Sequence, residues 1–301
     1  MLMQRILALS LWLAVLAFTA APNAAAQNTN AFELREGDRV VLLGDTLIER
    51  EATDGFIEHT FTTQFPGRHV IFRNLGWSAD TPEGQSRMGF DHNKAADSWF
   101  KQLTNSVALL KPTVVFVGYG MANSFDGDAG LTKFSSQYVR LLDALMHNAG
   151  TNAIRFVLLS PVPHEKLGGQ WPDPAKHNRQ LAACTKAIKS IASERSTHFI
   201  DLFSGLDQGQ VVPSPAPFTD NGIHLNRYGY RRAAEVIAAG LGWEPHAWRV
   251  GLLANGKVRE GSYGAKILET DLKPESLRLV IETEQLVLPP WAPGQIGRAH
   301  V

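Results

Sequence analysis

The chain has 301 residues, in which 29 Lys and Arg balance 29 Asp and Glu and no long run of either sign occurs. That balance excludes a basic stripe for nucleic acid and a polybasic membrane patch. A single cysteine, Cys184, excludes an internal disulfide, so packing alone must hold the core.

Residues 1–26 read as a secretory signal peptide. Arg5 precedes an apolar run from Ile6 to about Ala20, and Ala24-Ala25-Ala26 fits the A-x-A cleavage pattern before Gln27. This predicts an exported chain, periplasmic or extracellular, and no later stretch is long and apolar enough to span a membrane. The first predicted strand, Arg39–Leu43, breaks abruptly into Gly44-Asp45-Thr46, after which the chain turns charged and helix-prone. Further strands are predicted at Val70–Asn74, Thr113–Gly118, Ile154–Ser160 and His198–Leu202. Between them, apolar residues recur at helical spacing: Ala96, Trp99, Phe100 and Leu103; Leu131, Phe134, Tyr138, Leu141 and Leu145; Leu181, Cys184, Ile188 and Ile191. Tyr230, Ala233, Ala234, Ile237 and Leu241 form the last such stripe. Strand–helix alternation with continuously apolar strands predicts a five-stranded parallel sheet covered on both faces, a three-layer α/β/α domain over residues 27–242.

From Trp243 to about residue 295 the pattern changes to short alternating runs, with turn signals at Asn255-Gly256 and Lys273-Pro274. This reads as the start of a small β module. Ile296–Val301 back-translates in frame to ATCGGAAGAGCACACGTC, the read-through of a common sequencing adapter, and is set aside from the fold as an artefact.

Open parallel sheets bind ligands beyond the carboxyl ends of their strands, so the residues following each strand are the candidates. Thr46 follows the first and offers a hydroxyl, with Asp45 beside it as a candidate substrate contact. Acyl transfer needs a base in reach of that hydroxyl, a partner to orient the base, and N–H donors for the developing oxyanion. His224 is the candidate base, Asp220 or Asn221 its partner, and the Gly76 N–H with Asn123 the candidate oxyanion hole. Trp77 is a candidate pocket floor, with core packing as the alternative. His164 and Glu165, after the fourth strand, are candidates to position substrate, with loop capping as the alternative. Neither a cofactor nor a metal is expected. "GYGMAN" is only half of a dinucleotide fingerprint, and the histidines lack paired ligand spacing.

Four blocks, "VVLLGDT", "NLGWSADT", "GYGMAN" and "DNGIHLN", resemble in order those of the SGNH, or GDSL-type, hydrolase superfamily across roughly residues 38–242. The phrases "LLGDTLIERE", "FRNLGWSADT" and "GIHLNRYGY" look closest to exported members common in planctomycete-like bacteria. The resemblance implies a flavodoxin-like sheet and a serine esterase mechanism, with small-molecule or glycan acyl esters as substrates and sugar deacetylation among the activities. Three positions depart from the pattern. Thr46 stands in the serine slot, where β-branching restricts χ1. Ala122 stands in the asparagine slot, with Asn123 one residue late. Asn221 stands in the aspartate slot three before His224, with Asp220 one residue early. A neutral amide there holds the ring yet favours the wrong tautomer, which costs roughly 10⁴ in rate in a triad protease. The expected function is therefore an acyl esterase with a variant nucleophile, and the alternative is a catalytically impaired module that binds carbohydrate or a cell surface.

Overall fold

The computed structural model describes residues 31–88, 95, 97–150, 153–207, 216–244, 250–253, 257, 264–273 and 275–283. The expected signal peptide, the Asn255-Gly256 and Pro274 turn residues and the adapter-like tail lie outside the described residues.

Five parallel strands, β1 (Arg39–Gly44), β2 (Ile71–Gly76), β3 (Val114–Gly118), β4 (Arg155–Leu159) and β5 (His198–Ile200), lie in the order β2-β1-β3-β4-β5. This is the doubly wound order expected of a flavodoxin-like sheet. Successive side chains leave a strand on opposite faces, and here each face has its own helical layer. Val40 and Leu42 of β1, with Phe116 of β3, join one core beneath helices α1 (Thr46–Asp54), α2 (Phe56–Gln64) and α8 (Arg227–Gly240). Val41 and Leu43, with Val115 and Val117, join a second core under α3 (Ser98–Leu109), α5 (Gly127–Ala149) and α6 (Ala175–Glu194). Two short helices, α4 (Met121–Ser124) and α7 (Leu202–Gly205), follow β3 and β5. Central strands that are apolar throughout thus follow from burial on both sides. Cys184 sits in the second core, where burial pushes its thiol up to about 11, so it behaves as a small apolar side chain.

The stretch after Thr46 forms two helices rather than one. Gly55, at φ 68°, ends α1 with its N–H on the Glu51 carbonyl, and α2 starts at once. The buried Glu51 carboxylate accepts the Ile57 N–H at 2.6 Å and so caps α2 from within α1. The fifth strand is shorter than predicted because Asp201 accepts the Ser204 N–H and turns the chain into α7.

Three glycines close the ends of adjacent strands: Gly44 is in register with Gly76 on one side and with Gly118 on the other. Helix α1 crosses this row at contact distance. A Cβ on Gly76 would stand 2.1 Å from the Glu49 nitrogen, and one on Gly44 would stand 2.2 Å from the Gly118 oxygen. Only glycine admits so close an approach.

Trp243 packs edge-on to Phe61 and Phe65 and belongs to the first core. Further on, β6 (Ala265–Lys273) and β7 (Ser276–Thr283) form an antiparallel pair with a bulge between Ile267 and Glu269. Among the described residues, no helix is long and apolar enough to cross a membrane.

Candidate active site

Where β1 ends, Asp45 adopts extended geometry and its Oδ1 accepts the Leu47 N–H at 3.1 Å, so it caps α1. Its Oδ2 accepts the Met121 N–H at 3.3 Å, which ties the start of α1 to that of α4. Burial pushes this carboxyl up to about 7, against the pull of its backbone donors and with Asp80 nearby adding to the rise. Asp45 thus spends its oxygens on backbone groups rather than holding them out for substrate, although it does line the wall of the cavity described below.

Thr46 is the first residue of α1, and its Oγ1 accepts the Ala79 N–H at 2.8 Å. Its own N–H, one of the helix's free first-turn donors, makes no hydrogen bond among the described residues. Ala79 lies in the left-handed region at φ 52°, a conformation that favours glycine. It was not among the predicted residues, and an alanine carries no sequence signal for such a turn. The N–H of Gly76, predicted as a donor, is instead taken by Asn74 Oδ1 at 2.8 Å, and Asn74 Nδ2 donates onward to the Ile48 carbonyl. Gly76 therefore serves the approach of α1, and Ala79 supplies the N–H beside the hydroxyl.

His224 lies in the loop before α8. Asn221 Oδ1 accepts the N–H groups of Ile223 and His224 at 3.2 and 2.9 Å, which fixes the orientation of its amide. The Nδ2 end then lies 3.0 Å from His224 Nδ1. An amide nitrogen can only donate, so Nδ1 accepts and the neutral ring carries its proton on Nε2. Burial is the main cause holding the His224 pKa below its ordinary value; the Arg50 charge adds to this, while Asp220 and Glu49 oppose it. Asp220 does not reach the ring. Its N–H donates to the His224 carbonyl at 2.9 Å, and its carboxylate faces Arg50 Nη1 at 3.9 Å.

Thr46 and His224 line one small, open cavity, with Arg50, Met121, Val162 and Leu225 among its walls. No hydrogen bond joins Thr46 to His224 among the described residues. Asn123 does not line this cavity; it is buried, and its Oδ1 has no partner among the described residues. Trp77 is neither floor nor core, for it is 49% exposed and donates its Nε1–H to the Ser86 carbonyl at 3.1 Å.

His164 and Glu165 brace the histidine loop. The Glu165 carboxylate accepts the N–H groups of Phe218 and Thr219 at 3.0 and 2.8 Å and the Thr219 hydroxyl, while its N–H donates to the Gly222 carbonyl at 2.7 Å. A Cβ on Gly222 would stand 2.7 Å from His164 Nε2, so the ring and the loop are in contact. Behind it, His164 Nδ1 lies 3.0 Å from His177 Nδ1, and His177 Nε2 lies 2.7 Å from Ser124 Oγ. Both residues thus support the loop that carries His224.

A family model described as GDSL-like Lipase/Acylhydrolase family matches residues 42–232. No curated protein matches the sequence. Among solved structures, a gut microbial diltiazem-metabolizing enzyme superposes with TM-score 0.57 at 17% identity, covering 87% of this chain and 61% of that one. The present chain therefore spans less than two thirds of that enzyme's length. A catalytic mutant of Axe2, an acetylxylan esterase from Geobacillus stearothermophilus, superposes with TM-score 0.51 at 16% identity, covering 71% of this chain and 98% of that one. LAE5, a hydrolase from the metagenome of Lake Arreo, Spain, gives TM-score 0.51 at 18% identity, covering 69% and 97%. At such identities the likeness is one of fold.

Proposed function

Because this chain belongs to the GDSL-like lipase/acylhydrolase family, we propose that it hydrolyses acyl esters, with Thr46 as nucleophile, His224 as general base and O-acetylated carbohydrate as the substrate class. The observation that carries this reading is the cavity that Thr46 and His224 line together, with the Ala79 N–H bonded to the Thr46 hydroxyl. Thr46 Oγ1 attacks the ester carbonyl and its proton passes to His224 Nε2. The Thr46 N–H, at the positive end of α1, faces the charge that develops on the carbonyl oxygen, and the Ala79 N–H joins it once Oγ1 has bonded to carbon and released that donor. Collapse expels the alcohol, which takes the proton from His224; water activated by the same ring then releases the acid and restores Thr46. For Nε2 to accept, the proton must first move to Nδ1, which requires the Asn221 amide to turn and present its oxygen. The carbohydrate class is taken from the acetylxylan esterase Axe2, which shares the fold. Export on the signal peptide expected at residues 1–26 belongs to the same reading, and a secreted product whose N-terminus is found at Gln27 checks it.

The donation from Asn221 to His224 Nδ1 favours a second reading, a family member whose chemistry is suppressed and whose cavity binds a glycan. Hydrolysis of p-nitrophenyl acetate separates the two. Turnover that vanishes in Thr46→Ala and His224→Ala but persists in Thr46→Ser establishes the esterase. Turnover indifferent to Thr46→Ala removes Thr46 as nucleophile. Silence in the parent and all three variants, with folded protein, supports the binding module.

A further inference from the structure

Arg50 follows Thr46 by four residues on α1, and Asp220 precedes His224 by four in the histidine loop. Residues four apart on a helix share a face, so Arg50 stands beside Thr46, one turn further along. Asp220 is placed by its N–H on the His224 carbonyl and by the bridge between Thr219 and Leu225. Thr46, His224 and Arg50 line the cavity, and Asp220 faces Arg50. Arg50 and Asp220 form a long ion pair. Its atoms are 3.9 Å apart, too far for a hydrogen bond, and the side chains are 42% and 62% exposed, open to a ligand.

We propose that Arg50 and Asp220 form a subsite for the alcohol portion of the substrate, taking one hydroxyl of a sugar between them. A hydroxyl is donor and acceptor at once. It can accept from the Arg50 guanidinium and donate to the Asp220 carboxylate when its oxygen sits to one side of the 3.9 Å line between them, about 2.8 Å from each. An anionic group fits less well, because Asp220 and the nearby Glu49 carboxylate, which accepts from Ser78 Oγ at 3.1 Å, would repel it. An aliphatic alcohol offers nothing to either charge. The inference rests on the proposed substrate class but not on turnover.

The test uses the full chain carrying Thr46→Ala, titrated by NMR with methyl 3-O-acetyl-β-xylopyranoside and its 2-deoxy and 4-deoxy analogues. One deoxy analogue is expected to bind about tenfold more weakly than the parent sugar, as for a lost hydrogen bond to charged groups. That difference is expected to disappear when Arg50→Gln and Asp220→Asn are added, and to be only partly kept in Arg50→Lys, which retains the charge without the fork. Equal losses with and without the added substitutions overturn the subsite, as does failure of any of the sugars to bind. Hydrolysis of p-nitrophenyl acetate by the unaltered chain is read alongside. Silence there with discriminating binding sinks the esterase and leaves the subsite standing; turnover without discrimination does the reverse.

Discussion

The amide of Asn221 is pinned by two backbone donors at its oxygen end, so its nitrogen end decides which nitrogen of His224 carries the proton. Replacing it with a carboxylate reverses that choice, because a carboxylate only accepts. Asn221→Asp is expected to place the proton on Nδ1 and to raise kcat on p-nitrophenyl acetate at least a hundredfold, by the logic that makes the reverse change so costly in triad proteases. Nitrogen chemical shifts of the His224 ring report the tautomer, and no rise in rate after the tautomer has switched would remove His224 as the base. Ala79 poses a separate question of strain. At φ 52° it holds a conformation that costs an L-residue roughly 1 kcal/mol, so Ala79→Gly removes that strain while adding freedom to the unfolded chain. The two nearly cancel in stability. The change is instead expected to show in hydrogen exchange of the residue 79 amide, which should slow if the glycine settles its hydrogen bond to Thr46.

Among the elements, α1 depends most on what lies beneath it. Its backbone meets the glycine row with no room for a methyl group, since a Cβ on Gly76 would overlap backbone rather than a flexible side chain. Gly76→Ala must lift the helix or shift β2, and is expected to lower stability by about 3 kcal/mol or more, read from the denaturant midpoint. Gly67, where nothing stands within 4 Å of an added Cβ, provides the control, for Gly67→Ala should be near neutral. The α1–α2 corner adds a pH dependence. Burial pushes Glu51 up to about 8, so the fold favours its protonated form. Its stabilisation is fully present below the ordinary carboxylate range and is lost as pH rises through about 8. Glu51→Gln should therefore flatten the decline of melting temperature between pH 5 and 9, and an unchanged slope would mean that the carboxyl titrates elsewhere.

Taken whole, the molecule carries an opposing dependence on its other helical face. His177 is held down to about 4, by burial first and by His164 second. Unfolded, it takes a proton near 6.5; folded, it resists until about 4, so stability falls as pH drops across that interval. His177→Gln should reduce the acid-side decline, as Glu51→Gln reduces the alkaline one. How much of this was legible in sequence follows from what each residue answers to. Strand β3, and β1 beyond Arg39, are apolar because both faces are covered, and that requirement is written in the residues themselves. So are the stripes Phe134–Tyr138–Leu141–Leu145 and Tyr230–Ala233–Ile237. The bringing together of Thr46 and His224 was legible too, because loops at one rim of a parallel sheet must converge. Ala79 was not, since its backbone angle is imposed by neighbours and an alanine gives no hint of it. Gly76 was misleading for a related reason: a glycine that admits a helix and one that offers its N–H read alike until the helix is seen above it. The choice between Asp220 and Asn221 turned on a one-residue shift in a loop, below what spacing alone resolves.

The glycine row has a consequence for how this lineage can change over time. Because Gly44, Gly76 and Gly118 seat α1, the helix start stays at its height whatever side chain occupies position 46 or 221. Reaction and foldedness are thereby separable traits. Substitutions at the rim can therefore alter the site while leaving the seat of α1 untouched.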